Sequence, residues 1–404
     1  MPDPTLTNSM REANARDAPG FCSIASSPLR VGVSLLSVYP DNNAGTTTYV
    51  RGLLSGLSHD KGVNVVALAN PAIGRACGDL AGDGTLIRGS LRYATAERRL
   101  GRVAALGITA ALPVVTAGDL RELDVVHYPQ TVRSPRVDRP VVVTLHDVQH
   151  IDLPHMFSAS VRIWRRLMYD EAARRADAVI TNSEHSRARI VDRLGIDPAR
   201  IHVSYQGVDT KLFTPKSASS DSEVRRSLGV DERYLYYPAS LAPHKNHGAL
   251  LRALRLLDGR RLLLTGPYAN RLNELLAEAD ACGVSDRIQH LGMVSADALP
   301  ALYRGASCLV FPSLYEGFGV PIAEAMASGC PVVCANREAP AEIAGGAALL
   351  VDPEEPEAIA TAVRELDDPA TRENCIAAGI RRATQFNWAS VARLHRHVYE
   401  LVAR

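Results

Sequence analysis

The chain has 404 residues, of which 46% are hydrophobic and 22% charged. That is enough apolar material for about two domains, and it excludes a disordered or collagen-like protein. Lysine and arginine total 45 against 44 aspartates and glutamates, a net charge of +1, so nucleic-acid binding through bulk charge is excluded.

Residues 1–28 carry acids and prolines without the apolar stretch of a signal peptide, and read as a disordered leader. The 7 cysteines show no C-x-x-C spacing and read as buried free thiols of a reducing compartment. No apolar run reaches the ~18 residues of a membrane span, which makes the expected location cytoplasmic. Lysine occurs only at Lys61, Lys211, Lys216 and Lys245, an arginine preference that gives each lysine weight.

From Leu29 onward, short β-branched runs alternate with helical segments. Strands are expected at 30–36, 63–68, 124–127, 140–145, 178–181 and 201–204, with helices at 46–57, 158–173 and 184–194 between them. A turn at Gln206-Gly207-Val208-Asp209, then Pro215 and a serine-rich stretch to Ser222, mark a domain junction. The alternation then restarts. Strands are expected at 234–238, 261–265, 288–291, 308–311, 331–334 and 348–351, with helices at 247–256, 272–281, 296–303, 320–327 and 356–366. Strands separated by helices imply βαβ units. The expected organisation is a leader at 1–28, one doubly wound parallel sheet over 29–208, a second over 209–386, and a closing helix at 387–404. Ligands of such sheets bind beyond the carboxyl ends of the strands, here in a cleft between domains.

Four segments could carry chemistry. Pro40 to Tyr49 puts Gly45 and three threonines between the first strand and helix, where backbone N–H groups could face an anion. An ordinary glycine-containing βα turn reads equally well, and no G-x-G-x-x-G or Walker pattern is present. Thr144-Leu-His146-Asp147 follows a buried strand, the position of a cleft residue. His150 and His155 beyond it invite a metal reading, but no helical face aligns the three histidines, so no metal is expected. Pro243-His244-Lys245-Asn246 opens a helix and offers a cation beside its positive end, which suits a diphosphate. Glu316-Gly-Phe-Gly-Val-Pro-Ile-Ala-Glu324 places two carboxylates with seven residues between them, two of which are glycines. One carboxylate could accept from sugar hydroxyls and the other from a ribose.

Taken in order, these segments resemble retaining glycosyltransferase family 4, enzymes of the GT-B fold. The likeness runs from Leu29 nearly to the end and includes Asn182-Ser183-Glu184-His185-Ser186, Gly207-Val208-Asp209 and Ala339-Pro340-Ala-Glu342. It implies that Lys245 holds the donor diphosphate and that Glu324 binds the nucleotide ribose. Glu316 and the amides of Gly317, Phe318 and Gly319 would hold the donor sugar. His146 would meet the sugar from the facing domain, and Gly45 would lie by the diphosphate and acceptor. The implied reaction transfers a hexose with retention, without metal or other cofactor, from GDP-mannose or a UDP-hexose to a glycan or lipid-linked acceptor.

Many relatives carry an arginine five residues before the lysine. Here that place is Ser240, and His244 or an arginine from elsewhere is the expected substitute. Arg88, Arg92, Arg98, Arg99 and Arg102, with Arg162, Arg165 and Arg166 beside Trp164, read equally as solvated helix faces or as a peripheral contact with anionic lipid. A sugar-nucleotide 2-epimerase and a non-catalytic nucleotide-sugar binder are the alternatives; the first has no use for the paired glutamates, and the second no need of Lys245 and Glu316 together.

Overall fold

The computed structural model describes residues 27–36, 45–69, 86–88, 120–133, 136–230, 233–267 and 271–404, the segment 86–88 by its backbone alone. The leader, apart from its last two residues, the 40–44 part of the first loop, and Arg92, Arg98, Arg99 and Arg102 lie outside them.

The first half forms a parallel sheet of seven strands: β1 (Leu29–Ser34), β2 (Val63–Leu68), β3 (Leu86–Arg88), β4 (Val125–Tyr128), β5 (Val141–Thr144), β6 (Ala178–Thr181) and β7 (Ile201–Val203). Its order is β3-β2-β1-β4-β5-β6-β7. The second half forms a parallel sheet of six: β8 (Leu235–Pro238), β9 (Leu262–Thr265), β10 (Ile288–His290), β11 (Cys308–Phe311), β12 (Val332–Ala335) and β13 (Leu349–Val351), ordered β10-β9-β8-β11-β12-β13. Runs such as Val141-Val-Val-Thr144 and Cys308-Leu-Val-Phe311 are buried at every position, because helices cover both faces. The three-residue edge strand β3 had no counterpart in the sequence pattern. It pairs only with β2, and three residues are too few to show a period.

In both sheets the strand order reverses beside the first strand: between β1 and β4 in one, between β8 and β11 in the other. Such a switch point leaves a crevice outside the carboxyl ends of the strands.

Seven helices matter below: α1 (Gly45–Ser58), α2 (Glu184–Leu194), α3 (His247–Arg255), α4 (Val320–Ala327), α5 (Glu338–Ala344), α6 (Pro369–Ala383) and α7 (Trp388–Val402). The sequence pattern predicts neither α5 nor α6. α6 nevertheless carries a start signal, since Asp368 caps it by accepting from Thr371 N–H at 2.8 Å and Pro369 occupies the first turn.

The chain crosses between the sheets at 204–209 and again at 386–388. The two crossings are tied by Val208 N–H donating to Phe386 O at 2.9 Å. α7 then packs on α1, and its Val391, Ala392, Val398 and Tyr399 share a core with β1, β2 and β5. Glycines make room for it. A Cβ at Gly52 would stand 2.0 Å from the Trp388 ring and one at Gly207 2.5 Å from it, so both positions must lack a side chain.

A buried polar chain fixes the same helix to the sheet. Tyr49 Oη lies 3.0 Å from Thr144 Oγ1 and 2.8 Å from His395 Nε2, while Tyr399 Oη lies 2.9 Å from His127 Nδ1. Burial lowers the His395 pKa to about 4, so the network is uncharged and its hydrogen bonds form without an ion.

Candidate active site

At the switch point of the second sheet, two loops are stitched together before any side chain can act. The Pro243–Lys245 turn follows β8 and ends at Asn246, whose φ of 57° is left-handed. The Asn246 amide holds that conformation by donating to Pro312 O at 3.2 Å and Pro353 O at 2.6 Å. Tyr237 Oη donates to Lys245 O at 2.7 Å, and Leu314 N–H donates to His244 O at 2.7 Å. The loops after β8 and β11 are thereby held in register. Lys245 Nζ meets Glu316 Oε1 at 2.6 Å, with the side chains 17% and 12% exposed.

The loop continues through two glycines required for different reasons. Gly317 has no left-handed backbone, but a Cβ there would stand 2.5 Å from His146 O of the first domain. Gly319 has a φ of 97°, open to glycine at little cost. Phe318 turns its ring inward against Phe386 and Tyr205, leaving its main chain as the part that can face a ligand. Glu324, on α4, accepts from Tyr303 Oη at 2.8 Å. Burial of its carboxyl raises its pKa from an ordinary 4.5 to about 7, a rise that the Tyr303 hydrogen bond opposes.

The first domain faces this loop with the end of β5. His146 Nδ1 lies 2.8 Å from the Asn182 amide nitrogen, and Nε2 lies 3.2 Å from Pro129 O. With the Asn182 amide donating, the ring proton belongs on Nε2 and is donated to Pro129, an assignment from the network. Burial lowers the His146 pKa, so the ring is neutral and held at both nitrogens. Gly45 opens α1 in open space, since a Cβ there would meet nothing within 4 Å. His150 turns away to Asp170 at 2.9 Å and His155 is exposed. Among the described residues no three His, Cys, Asp or Glu side chains gather as a metal would need.

The structure thus brings Lys245, Glu316, Gly317, Phe318 and His146 together, with Glu324 on the next helix. At Ser240, where many relatives carry an arginine, the neighbouring His244 adds no positive charge in the free protein. Burial first, and the charge of Lys245 second, hold its pKa down to about 4, so it is neutral. The charge of Arg165, from the facing domain, adds to that lowering.

Residues that the sequence pattern did not single out also converge here. Tyr315 Oη donates to Asp152 Oδ2 across the domains at 3.2 Å. Glu338 has a φ of 57°, a buried Oε2 with no hydrogen-bond partner in the protein, and a pKa raised to about 7 by burial. Glutamate in the left-handed region is uncommon, but nothing in a single sequence reports φ.

Two family descriptions match this chain: glycosyltransferase family 4 over residues 44–212 and glycosyl transferases group 1 over residues 220–382. The O-antigen chain mannosyltransferase B of Escherichia coli is 32% identical over 285 residues, 68% of this chain and 74% of that protein. The chain belongs to glycosyltransferase family 4. This glycosyltransferase is also 32% identical over 311 residues to the MMP alpha-(1->4)-mannosyltransferase of Mycolicibacterium hassiacum, covering 71% of the one and 72% of the other. Its fold is GT-B. The crystal structure of Anabaena HepE in complex with UDP and glucose aligns with a TM-score of 0.70 at 20% identity, covering 92% of this glycosyltransferase and all of that chain. Among the described residues no helix is long and apolar enough to cross a membrane.

Proposed function

We propose that this glycosyltransferase moves a hexose from a nucleotide sugar to a glycan or lipid-linked acceptor with retention of configuration, and that the donor spans Glu324, Lys245 and the 316–319 loop. The observation that carries the reading is the Lys245–Glu316 pair at 2.6 Å, set at the switch point of the second sheet and facing the end of β5. In the free protein the ammonium neutralises the carboxylate. An arriving diphosphate takes the ammonium as its own partner and releases Glu316 toward the sugar. Lys245 then stabilises negative charge as the diphosphate departs, in a partly buried site where such charge pairs are stronger than in water. Glu324 accepts from ribose hydroxyls, which favours its ionised form. The amides of Gly317, Phe318 and Gly319 line the sugar.

The names of the two relatives favour mannose and hence GDP-mannose, while the UDP and glucose bound by HepE keep a UDP-hexose in view. No cofactor or metal enters this scheme, because the lysine and the loop amides carry the leaving charge. The exposed apolar residues beside Arg162, Arg165 and Arg166 support a peripheral contact with anionic lipid.

The test supplies GDP-mannose and UDP-hexoses in EDTA and follows diphosphate release with and without acceptor. Acceptor-dependent release is the expected outcome. Activity that returns only with a divalent ion, or conversion of the sugar with no acceptor, contradicts it.

A further inference from the structure

One short segment of the first domain, Asn182-Ser183-Glu184-His185-Ser186, touches both halves of the candidate sugar site. Asn182 holds the His146 ring at Nδ1. Ser183 Oγ donates to Gly317 O of the second domain at 2.8 Å. The Ser186 hydroxyl is shared between the same Gly317 O at 3.2 Å and His146 O at 3.1 Å. Both serines are buried, and the contact is partly so.

The amino end of α2 is meanwhile closed to other ligands. Glu342, from α5 of the second domain, accepts from Glu184 N–H at 2.8 Å and from His185 N–H at 3.0 Å. Ser186 N–H goes to Ser183 Oγ at 3.0 Å. The first-turn donors that could have cradled a phosphate are therefore spent within the protein. What this end offers the site is its two hydroxyls, and both are aimed at one carbonyl.

Fixing that carbonyl has a geometric consequence. In a trans peptide the C=O and the following N–H point in opposite directions. Holding Gly317 O against α2 therefore aims the Phe318 N–H the other way. Gly317 can come so close only because it lacks a Cβ, which would meet His146 O at 2.5 Å. The Phe318 ring, locked among Tyr205 and Phe386, keeps the next residue from rotating the peptide back.

We infer that Ser183 and Ser186 are positioning residues for the donor sugar: from the facing domain they clamp the Gly317 peptide so that the Phe318 amide is aimed at the sugar. The sugar half of the site is thus completed by the first domain, while Lys245 and Glu324, which hold the nucleotide half, come from the second. The inference rests on the donor placement proposed above.

Its test separates the two halves. Titration calorimetry compares GDP with GDP-mannose and UDP with UDP-glucose, on the wild-type chain and on Ser186→Ala, Ser183→Ala and Ser183→Thr. Ser183→Ala also removes the cap of α2, so Ser186→Ala is the cleaner variant and Ser183→Thr, which keeps a hydroxyl, is the rescue. For the nucleotide pair that binds, the alanine variants lose about tenfold in affinity for the nucleotide sugar and less than about twofold for the diphosphate. Turnover falls with the sugar affinity, and Ser183→Thr restores both. Equal weakening of diphosphate and nucleotide sugar, or no change in either, overturns the inference. If the wild-type chain binds neither diphosphate, the donor placement itself fails and takes the clamp with it.

Discussion

Glu316 and Glu324 share a motif but stand in different surroundings. Glu316 is paired with Lys245 in the cleft, whereas Glu324, on α4, is held by Tyr303. In the proposed reaction positive charge grows at the sugar's anomeric carbon beside Glu316, and the ribose near Glu324 does not change. An interaction strengthened only in the transition state governs turnover; one equal in both states governs the Michaelis constant. Glu316→Gln is therefore expected to lower kcat severely with a modest change in donor KM, and Glu324→Gln chiefly to raise donor KM. Steady-state kinetics on the two folded variants decides, and the reverse pattern would mean the pair is assigned backwards.

The raised carboxyls also predict a pH effect. Glu324 and Glu338 both have folded pKa values of about 7 against an ordinary 4.5, so the folded chain binds their protons more tightly than the unfolded one. Their contribution to stability is then lost as pH rises from about 4.5 through about 7. Melting temperatures taken near pH 5 and near pH 8 should fall less for Glu324→Gln/Glu338→Gln than for the wild type; an identical fall refutes the assignment. At this scale the sequence was legible wherever chemistry follows residue type. Lys245, Glu316, Gly317 and Gly319 stand out by residue type in two short motifs, and the fold sets Lys245 beside Glu316. Glu338 could not be found that way, because its strain is a property of φ, nor could the neutrality of His244, because it comes from burial.

The elements were read most accurately where burial imposes a pattern. β2, β6 and β11, with α2 and α4, start and stop at the residues that periodicity indicated. Elements escaped where the pattern is short or interrupted: β3 has three residues, and α5 carries Pro340 within it. The expected helix at 158–173 is a single helical run from Ala159 to Arg174, but with a π turn at Arg166–Asp170. It leaves Ile163 60% and Leu167 62% exposed, while Arg165 folds back over Phe157 with 4.6 Å to the ring. A monomer gains nothing from two such side chains in water, and each neighbouring arginine adds about 1 kcal/mol near an anionic surface. Liposome flotation is expected to favour anionic over neutral vesicles, and Ile163→Ser/Leu167→Ser to lose that preference. Equal recovery with both vesicle types would remove the membrane contact.

Across the whole molecule, loops beyond the carboxyl ends of β5 and β6 meet the second domain through specific contacts. Tyr315 reaches Asp152, Glu342 closes the start of α2, and Ser183 holds Gly317. The alternation of strands and helices made two doubly wound sheets legible, but no spacing could show which loops of one sheet meet which of the other. That pairing depends on the crossing at Val208 and Phe386 and on the Trp388 socket, contacts between residues far apart in the chain.

The central claim is that the second sheet's switch point binds a nucleoside diphosphate through Lys245. It is tested most directly by titration calorimetry of GDP and UDP into the wild-type chain and Lys245→Ala, with melting temperature as the control for folding. A charge-assisted hydrogen bond is worth roughly 1.5–3 kcal/mol, so the variant should bind the preferred diphosphate about tenfold to a hundredfold more weakly. A folded Lys245→Ala variant with undiminished affinity would contradict the account.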